Sequence, residues 1–266
     1  MELCDFHIHT VFSDGADAPA AIAEEAVARG LTAIGFSDHS YLPFDSGCLK
    51  KDGADEYLTE IRRVKKLFSG KLEVLCGIEQ DYFSGIRDPR LDYAIGSVHY
   101  IEAGGGYVPV DLDAASLTDA AGRYFGGDMT ALCVEYFKTA AKVIDATGAD
   151  VIGHFDLIRK FNGNGELFDS RSVRYREAWR DAADKLISLG KPFEINTGAI
   201  SRGVGDDAYP SREIADYIYG KGGKFILSGD SHRAKDLCFS FDVYRKRYGD
   251  AILTRPVSRT RRKSRD

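Results

Sequence analysis

An α/β fold built on parallel strands is the class this sequence predicts, on three observations. Seven short apolar runs alternate with helix-length amphipathic stretches, the pattern of strands laid side by side with helices packed outside them. The 266 residues are 44% hydrophobic and 29% charged, enough for a core without disulfide staples and too apolar for disorder to be the main state. All six histidines fall in or directly after the apolar runs, and none in a helical stretch. A closed barrel and an open doubly wound sheet both satisfy the alternation.

Taken in order, the first apolar run covers 3–10. The stretch APAAIAEEAVARG follows as a helix, with Asp17 expected as N-cap, Pro19 in the first turn and Gly30 as the stop. The second run is 32–39; after a polar loop, 55–69 reads as a helix with Tyr57, Ile61, Val64 and Phe68 on one stripe. Strands are expected over 72–81 and 91–100, and a helix over 130–147 ended by Gly148. A strand at 151–155, a helix at 172–189, a strand at 192–197, a helix at 211–219, a strand at 224–231 and a helix at 241–248 complete the series. The segment 101–128 is the least regular, with GGG at 104–106 and GG at 126–127; it reads as a long loop of the kind that closes over a site. No GxGxxG or P-loop pattern, internal repeat or Pro/Ser-rich linker is present. The expectation is one domain over 1–255 and a solvated basic tail over 256–266.

The net charge of −5 argues against a nucleic-acid partner. Five cysteines, an odd number without C-x-x-C spacing, fit reduced thiols better than a disulfide framework. The N-terminus lacks a basic region followed by an apolar stretch, and no apolar run approaches the ~20 residues of a membrane helix. A cytoplasmic location and no membrane partner are therefore expected.

The histidines carry the functional signal. His7 and His9 lie in the first run, His39 ends the second, His99 and His154 lie near the ends of the fourth and fifth, and His232 follows the seventh. Ligand sites of parallel α/β folds lie at that C-terminal edge. Strand alternation places Asp5, His7 and His9 on one face and Cys4, Phe6 and Ile8 on the other, toward the outer helices. Glu79 ends the third run, Asp230 and His232 flank Ser231, and Asp14 lies just past the first run. One strand histidine is ordinarily a hydrogen-bonded core residue, and one HxH pair arises by chance. Six histidines and three carboxylates on one rim cannot readily satisfy each other, and burying them costs free energy unless they bind metal. Imidazole and carboxylate without thiolate suit zinc, manganese or iron. Nine donors exceed the three or four protein ligands of one catalytic zinc, so two or three divalent ions are expected. Asp5 and Asp38 read as groups that orient ligands or form turns.

The segments DFHIHT (5–10), SDH (37–39), GIE (77–79), SVH (97–99), GHFD (153–156) and GDSH (229–232) resemble the PHP (polymerase and histidinol phosphatase) family, in family order and across nearly the whole chain. The resemblance implies a distorted seven-stranded (β/α) barrel, TIM-barrel-like, with three divalent ions at the C-terminal ends of its strands. It implies His7, His9, Glu79 and Asp230 on one ion, Glu79 bridging to a second held by His99 and His154, and Asp14, His39 and His232 on the third. Some members have histidine where this chain has Asp14. Within the family the chain is most similar to the monofunctional histidinol-phosphate phosphatases, by its length, SVHYI, GHFDLIRKFN (153–162) and EINTGAISRG (194–203).

The implied activity is hydrolysis of L-histidinol phosphate to L-histidinol and phosphate, a step of histidine biosynthesis. The alternatives are another phosphoesterase of the family, acting on a nucleotide or sugar phosphate, and a non-catalytic metal-binding protein. Clustered divalent ions neutralise a phosphate dianion and acidify a water, so in-line attack by a metal-bridging hydroxide is the expected route. Arg159 and Arg202, each just past a strand, are candidate phosphate clamps because a guanidinium donates two parallel hydrogen bonds. His232 or Asp230 is the candidate proton donor to the leaving group. Tyr100, Asp156, Glu194 and Asn196, with Tyr124 and Phe125, are candidates for the pocket that holds the imidazole-bearing alcohol.

Overall fold

The structure is a computed structural model that describes residues 2–256. The chain runs β1 (Cys4–Asp5), α1 (Pro19–Ala28), β2 (Ala33–Phe36), α2 (Ala54–Leu67), β3 (Glu73–Cys76), β4 (Glu79–Asp81) and β5 (Ile95–Ser97). A hairpin, β6 (Tyr100–Ala103) and β7 (Gly106–Pro109), leads to α3 (Ala114–Tyr124), α4 (Met129–Ala140) and α5 (Val143–Thr147). Then come β8 (Val151–Ile152), α6 (Val173–Ser188), β9 (Phe193–Asn196), α7 (Gly198–Ser201), α8 (Arg212–Gly220), β10 (Phe225–Ser228), α9 (Phe241–Tyr248) and β11 (Ile252–Leu253).

The α/β class is as the alternation predicts. β1, β2 and β3 form one parallel sheet; a second parallel sheet has the order β11-β10-β9-β8-β5-β4. Single parallel bridges, Ile8 with Ser231 and His39 with Glu79, link the two. β2, β9 and β10 are buried along their whole length, as strands are when both faces are covered. In α2 the buried stripe is Tyr57, Leu58, Ile61 and Val64; Asp55 and Glu56 open the helix and Lys65 and Lys66 close it, complementing the helix dipole. In α6, Ser172 caps the Tyr175 N–H, and Tyr175 and Trp179 are buried.

The apolar side chains form two clusters. The larger joins the helices to the outward strand residues, among them Ile34, Phe36, Val74, Phe193 and Leu227. The smaller contains Cys4, Phe6, Ala33, Leu75, Tyr93, Ile95, Val151 and Ile226, one or two from each of six strands or strand extensions. Tyr93 is its centre: the hydroxyl donates to Phe6 O at 2.6 Å. A β-carbon at Gly35 or Gly77 would overlap the Tyr93 ring, so close approach explains both glycines.

Several expectations need correction. Cys4 and Phe6 do not face the helices: they lie in the smaller cluster, while Ile8 alone of the three joins the larger one. The ladder of β1 ends at Asp5 and pairing resumes only at Ile8, so the period-two rule fails across residues 6–7. Asp17 is not a helix cap. Ala18 holds that position without a side-chain bond, and the Asp17 carboxylate accepts from Ala234 N. The segment 101–128 is not a long loop. Gly104 and Gly105, both at positive φ, make the two-residue turn that the strand twist of a hairpin favours, and Asp113 caps α3. The helix expected over 130–147 is two helices. The apolar run 72–81 breaks at Gly77 into β3, paired with β2, and β4, paired with β5. All five cysteines are free thiols and four are buried. Among the described residues no helix is long and apolar enough to cross a membrane. Residues 257–266 of the expected tail lie outside the described residues.

Candidate metal centre and substrate cleft

Backbone pairing brings the motif segments together. His9 N donates to Ser231 O and Ser231 N donates to His7 O, each at 3.0 Å, which lays HIH against GDSH. Asp5, one of the expected orienting groups, accepts from Gly229 N at 2.9 Å and Cys238 N at 3.0 Å. Asp38, the other, accepts from Thr10 N at 2.8 Å and Ser13 Oγ at 2.6 Å. That pins the loop on which Asp14 returns. Asp230 sits at φ 47, a left-handed conformation that a non-glycine residue holds only where its surroundings enforce it.

All nine expected donors converge. Glu79 is the hub, with His39 Nδ1 at 2.9 Å, His154 Nε2 at 2.8 Å, His7 Nε2 and His99 Nε2 at 3.3 Å and His9 Nε2 at 3.5 Å. Asp230 Oδ1 lies 3.2 Å from His9 Nε2, and Asp14 Oδ2 lies 3.1 Å from His232 Nε2. Three subsets bring their donor atoms within 4.8 Å of one another: His9, Asp14, His39 and His232; His7, His9 and Asp230; His39, Glu79 and His99. This grouping differs from the implied one: His9 joins Asp14, His39 joins Glu79, Glu79 is not in the set of His7, His9 and Asp230, and His154 is in none of the three and reaches the cluster through Glu79.

The donor set fits divalent metal. His7 Nε2, both ring nitrogens of His9 and His154 Nδ1 are buried without a hydrogen-bond partner, an arrangement that costs free energy unless something else takes the lone pairs. Behind the cluster, Glu194 bonds His7 Nδ1 at 2.6 Å and accepts from His154 N at 3.0 Å. Asp81 bonds His99 Nδ1 at 3.2 Å. Carboxylates in that position fix the tautomer and ring angle of ligand histidines.

The protonation states follow from mutual burial. Burial pulls the His7 and His99 imidazoles down, but the surrounding carboxylates, Glu79 foremost for His99 and Glu194 for His7, reverse the sign and hold both well above the ordinary value. The same balance raises His39 to about 10. His9, buried beside His232 and His39, is depressed to about 3. Burial opposes ionisation of Glu79 and Asp230, yet His7, His39 and His99 around the first, and Arg202 and His7 around the second, hold both well below the carboxylate range.

The other expected site residues divide. Arg202 reaches the cluster: Nη1 donates to Asp230 O at 2.8 Å and Nη2 to Asp230 Oδ2 at 3.2 Å. Its guanidinium also lines a cleft with Lys160, Asp111 and Tyr209, beside Asp14, His39 and His232. Arg159 does not face that cleft. Its guanidinium is bound by Asp156 Oδ2 at 2.9 Å and by the carbonyl of Ala208, and stacks on Tyr209. Asp156 is likewise taken, by Arg159 and Ser211 N, and is fully buried. Glu194 and Asn196 face inward as expected, but beneath the histidines, where Asn196 accepts from Gly198 N. Tyr100 lines a second cavity next to the cluster; Tyr124 and Phe125 line neither. Sequence reasoning missed Lys160, Asp111, Asp81, Phe44, Asp45 and Tyr107. Asp81 carried a signal, standing two residues past Glu79 on one strand. Lys160 is masked by its neighbour Arg159, and the loop residues have no periodicity to betray them.

Comparison with known proteins gives the family. Residues 5–198 match the PHP domain family, a span that contains every motif except GDSH. The "Probable histidinol-phosphatase" of Deinococcus radiodurans is 30% identical over 251 residues, 90% of each chain. The histidinol-phosphatase of Bacillus subtilis is 25% identical over 272 residues, 93% of this chain and all of the relative. In fold, the chain resembles the crystal structure of histidinol phosphate phosphatase from Lactococcus lactis complexed with zinc, L-histidinol and phosphate. The TM-score is 0.69 and the identity 23%, over 95% of both chains. A family match over most of the chain, with relatives aligned along nearly its full length, makes this protein a member of the PHP family.

Proposed function

We propose that the protein is a metal-dependent phosphomonoesterase that hydrolyses L-histidinol phosphate to L-histidinol and phosphate. The observation that carries the reading is the convergence of nine imidazole and carboxylate donors, four of their nitrogens unpartnered, on a cleft that also holds Arg202 and Lys160. The relatives named histidinol-phosphatase and the ligands named for the Lactococcus lactis structure support the choice of substrate. We read the two bridged sheets as one closed ring of seven staves, with β3 and β4 as halves of a single stave and the donors at its C-terminal rim. Residues 1–255 form one domain on this reading.

His7, His9, Asp14, His39, Glu79, His99, His154, Asp230 and His232 would hold three divalent ions, zinc, manganese or iron. Bound there, such ions neutralise the phosphoryl oxygens and acidify a water that serves as nucleophile. Arg202 and Lys160 take the remaining phosphate charge, Arg202 through its fork and Lys160 as a point charge. Glu194 and Asp81 keep the His7 and His99 rings in register. Asp230 is anchored by Arg202, whereas the His232 side chain is 25% exposed at the cleft. Of these two candidate proton donors His232 is the more accessible, and as a metal ligand it would have a proton to give the departing alkoxide only from the ring nitrogen that does not coordinate.

The test is steady-state kinetics over a panel of phosphomonoesters after reconstitution with zinc, manganese or iron. L-Histidinol phosphate should show the highest kcat/KM. A large preference for a nucleotide or sugar phosphate would sink the substrate assignment, and no turnover on any ester would sink the enzyme reading.

A further inference from the structure

Two cavities meet at the histidine cluster, and Asp14, His39, His99 and Asp111 line both. They differ in their cations. The first contains Arg202 and Lys160. The second, of 660 Å³, has no lysine or arginine in its wall. Its distinctive residues are Phe44, Tyr100, Tyr107 and Asp45.

These rings are not core residues. Phe44 is 39% and Tyr107 49% exposed, although large rings are ordinarily buried. Their planes lie 17° apart with centroids at 4.1 Å, and Tyr100 meets Phe44 edge-on at 5.0 Å. The assembly is held from three separate segments: the loop after β2 carries Phe44 and Asp45, and the two strands of the hairpin carry Tyr100 and Tyr107. Asp45 Oδ2 accepts the Tyr100 hydroxyl at 2.8 Å, and Asp45 Oδ1 accepts from Gly47 N at 2.8 Å. Burial pushes the Asp45 carboxyl up, but Gly47 N and the Tyr100 hydroxyl, with smaller help from Cys48 and His39, outweigh it and hold it below the ordinary range. Of the other carboxylates, Asp111 faces Lys160 and Asp14 faces His232. Asp45 accepts these hydrogen bonds from two neutral donors, the Tyr100 hydroxyl and the Gly47 N–H.

Aromatic faces beside a carboxylate, in a wall without lysine or arginine, attract cationic nitrogen and flat heterocycles. The adjoining cavity attracts phosphate. We propose that Phe44, Tyr100, Tyr107 and Asp45 form the leaving-group subsite, selecting phosphomonoesters whose alcohol carries both a cationic nitrogen and an aromatic ring. The inference rests on the phosphatase reading above and adds the wall that chooses among esters, which is separate from the groups that bind phosphate. It replaces Asp156, Glu194 and Asn196 in that role, all of which are fully buried.

The experiment compares wild type with Phe44→Leu, Tyr107→Ser and Asp45→Asn on two substrates, L-histidinol phosphate and the neutral-alcohol ester glycerol 3-phosphate. L-Histidinol is added as an inhibitor of the second reaction, and inorganic phosphate is titrated separately. The ratio of kcat/KM for the cationic over the neutral ester should fall about tenfold in each variant. Inhibition by L-histidinol should weaken by a similar factor, while the phosphate inhibition constant moves much less. An unchanged ratio overturns the subsite, and so does a parallel loss on both esters together with weakened phosphate inhibition. Should wild type prefer an ester other than L-histidinol phosphate, the substrate reading fails by itself. The subsite is then judged on L-histidinol inhibition alone: loss in the variants upholds it and retention overturns it.

Discussion

The same strands do opposite things at their two ends. Toward their N-terminal halves they enclose Cys4, Phe6, Ala33, Leu75, Tyr93, Ile95, Val151 and Ile226, an apolar plug with its one hydroxyl bonded to a carbonyl. A few residues further along, the chain buries His7, His9, Glu79 and His154, with nitrogens left unpartnered. The plug gains free energy from burial at about 25 cal/mol per Å² of apolar surface. The polar end loses it until ions bind. Stability and chemistry are thus separated along each strand, and the site is tolerated because the plug and the outer helices hold the strands together without it.

Breaking the two ends should give different losses. Glu79→Ala removes the hub carboxylate, and turnover should fall roughly 1,000-fold with loss of bound metal. Leu75→Ala in the plug should cost about 2–5 kcal/mol of stability by denaturant unfolding, with near-normal kcat in the folded fraction. Near-normal kcat with intact metal content in Glu79→Ala would end its role as a ligand, and a stable Leu75→Ala would mean that the plug is dispensable.

The two arginines sharpen the contrast. Arg159→Ala strips the buried Asp156 carboxylate of its partner, so it should destabilise by about 3–5 kcal/mol and leave phosphate inhibition in place. Arg202→Ala should lower kcat/KM about 10- to 100-fold and weaken phosphate inhibition, because a charge-assisted hydrogen bond is worth about 1.5–3 kcal/mol. Exchange of the two outcomes would reverse the assignment. Glu194→Gln keeps the shape but weakens the acceptor behind His7 and should reduce metal affinity or activity about 10- to 100-fold; a variant with normal metal content and rate would make Glu194 a packing residue.

The smallest effect is a proton count. His7, His39 and His99 have raised values, His39 to about 10. A raised imidazole stabilises the folded chain below the ordinary histidine value of about 6.5, and that contribution is lost as pH rises through the raised value. Metal requires the neutral ring, so binding must expel these protons and apparent affinity must rise with pH across the neutral range. Calorimetric titration of zinc in two buffers of different ionisation heat should give different apparent enthalpies. Equal enthalpies would mean that the rings are already neutral.

Much of the site was legible because donors at strand ends are improbable in any other role. Each of the nine stands in or just past an apolar run, where an unsatisfied polar group is costly, and all nine meet. Arg159 and Lys160 were not separable. They sit at the end of a 3₁₀ turn, Leu157–Arg159, in which successive side chains point about 120° apart; one guanidinium returns under Tyr209 and the next ammonium enters the cleft. The hairpin is not legible as one, because glycine marks a tight turn and a flexible segment alike. The face of Phe6 does not follow from alternation, because the ladder of β1 ends at Asp5.

The alternation of apolar and amphipathic stretches determined the α/β class, and the residue types at the run ends determined the donor set, since both depend on local period and side-chain chemistry. Tertiary structure decided which donors share a site, which cation faces the cleft and which rings wall the second cavity. Those choices depend on how loops and strand ends far apart in sequence are brought within a few ångströms, and no local period encodes that distance.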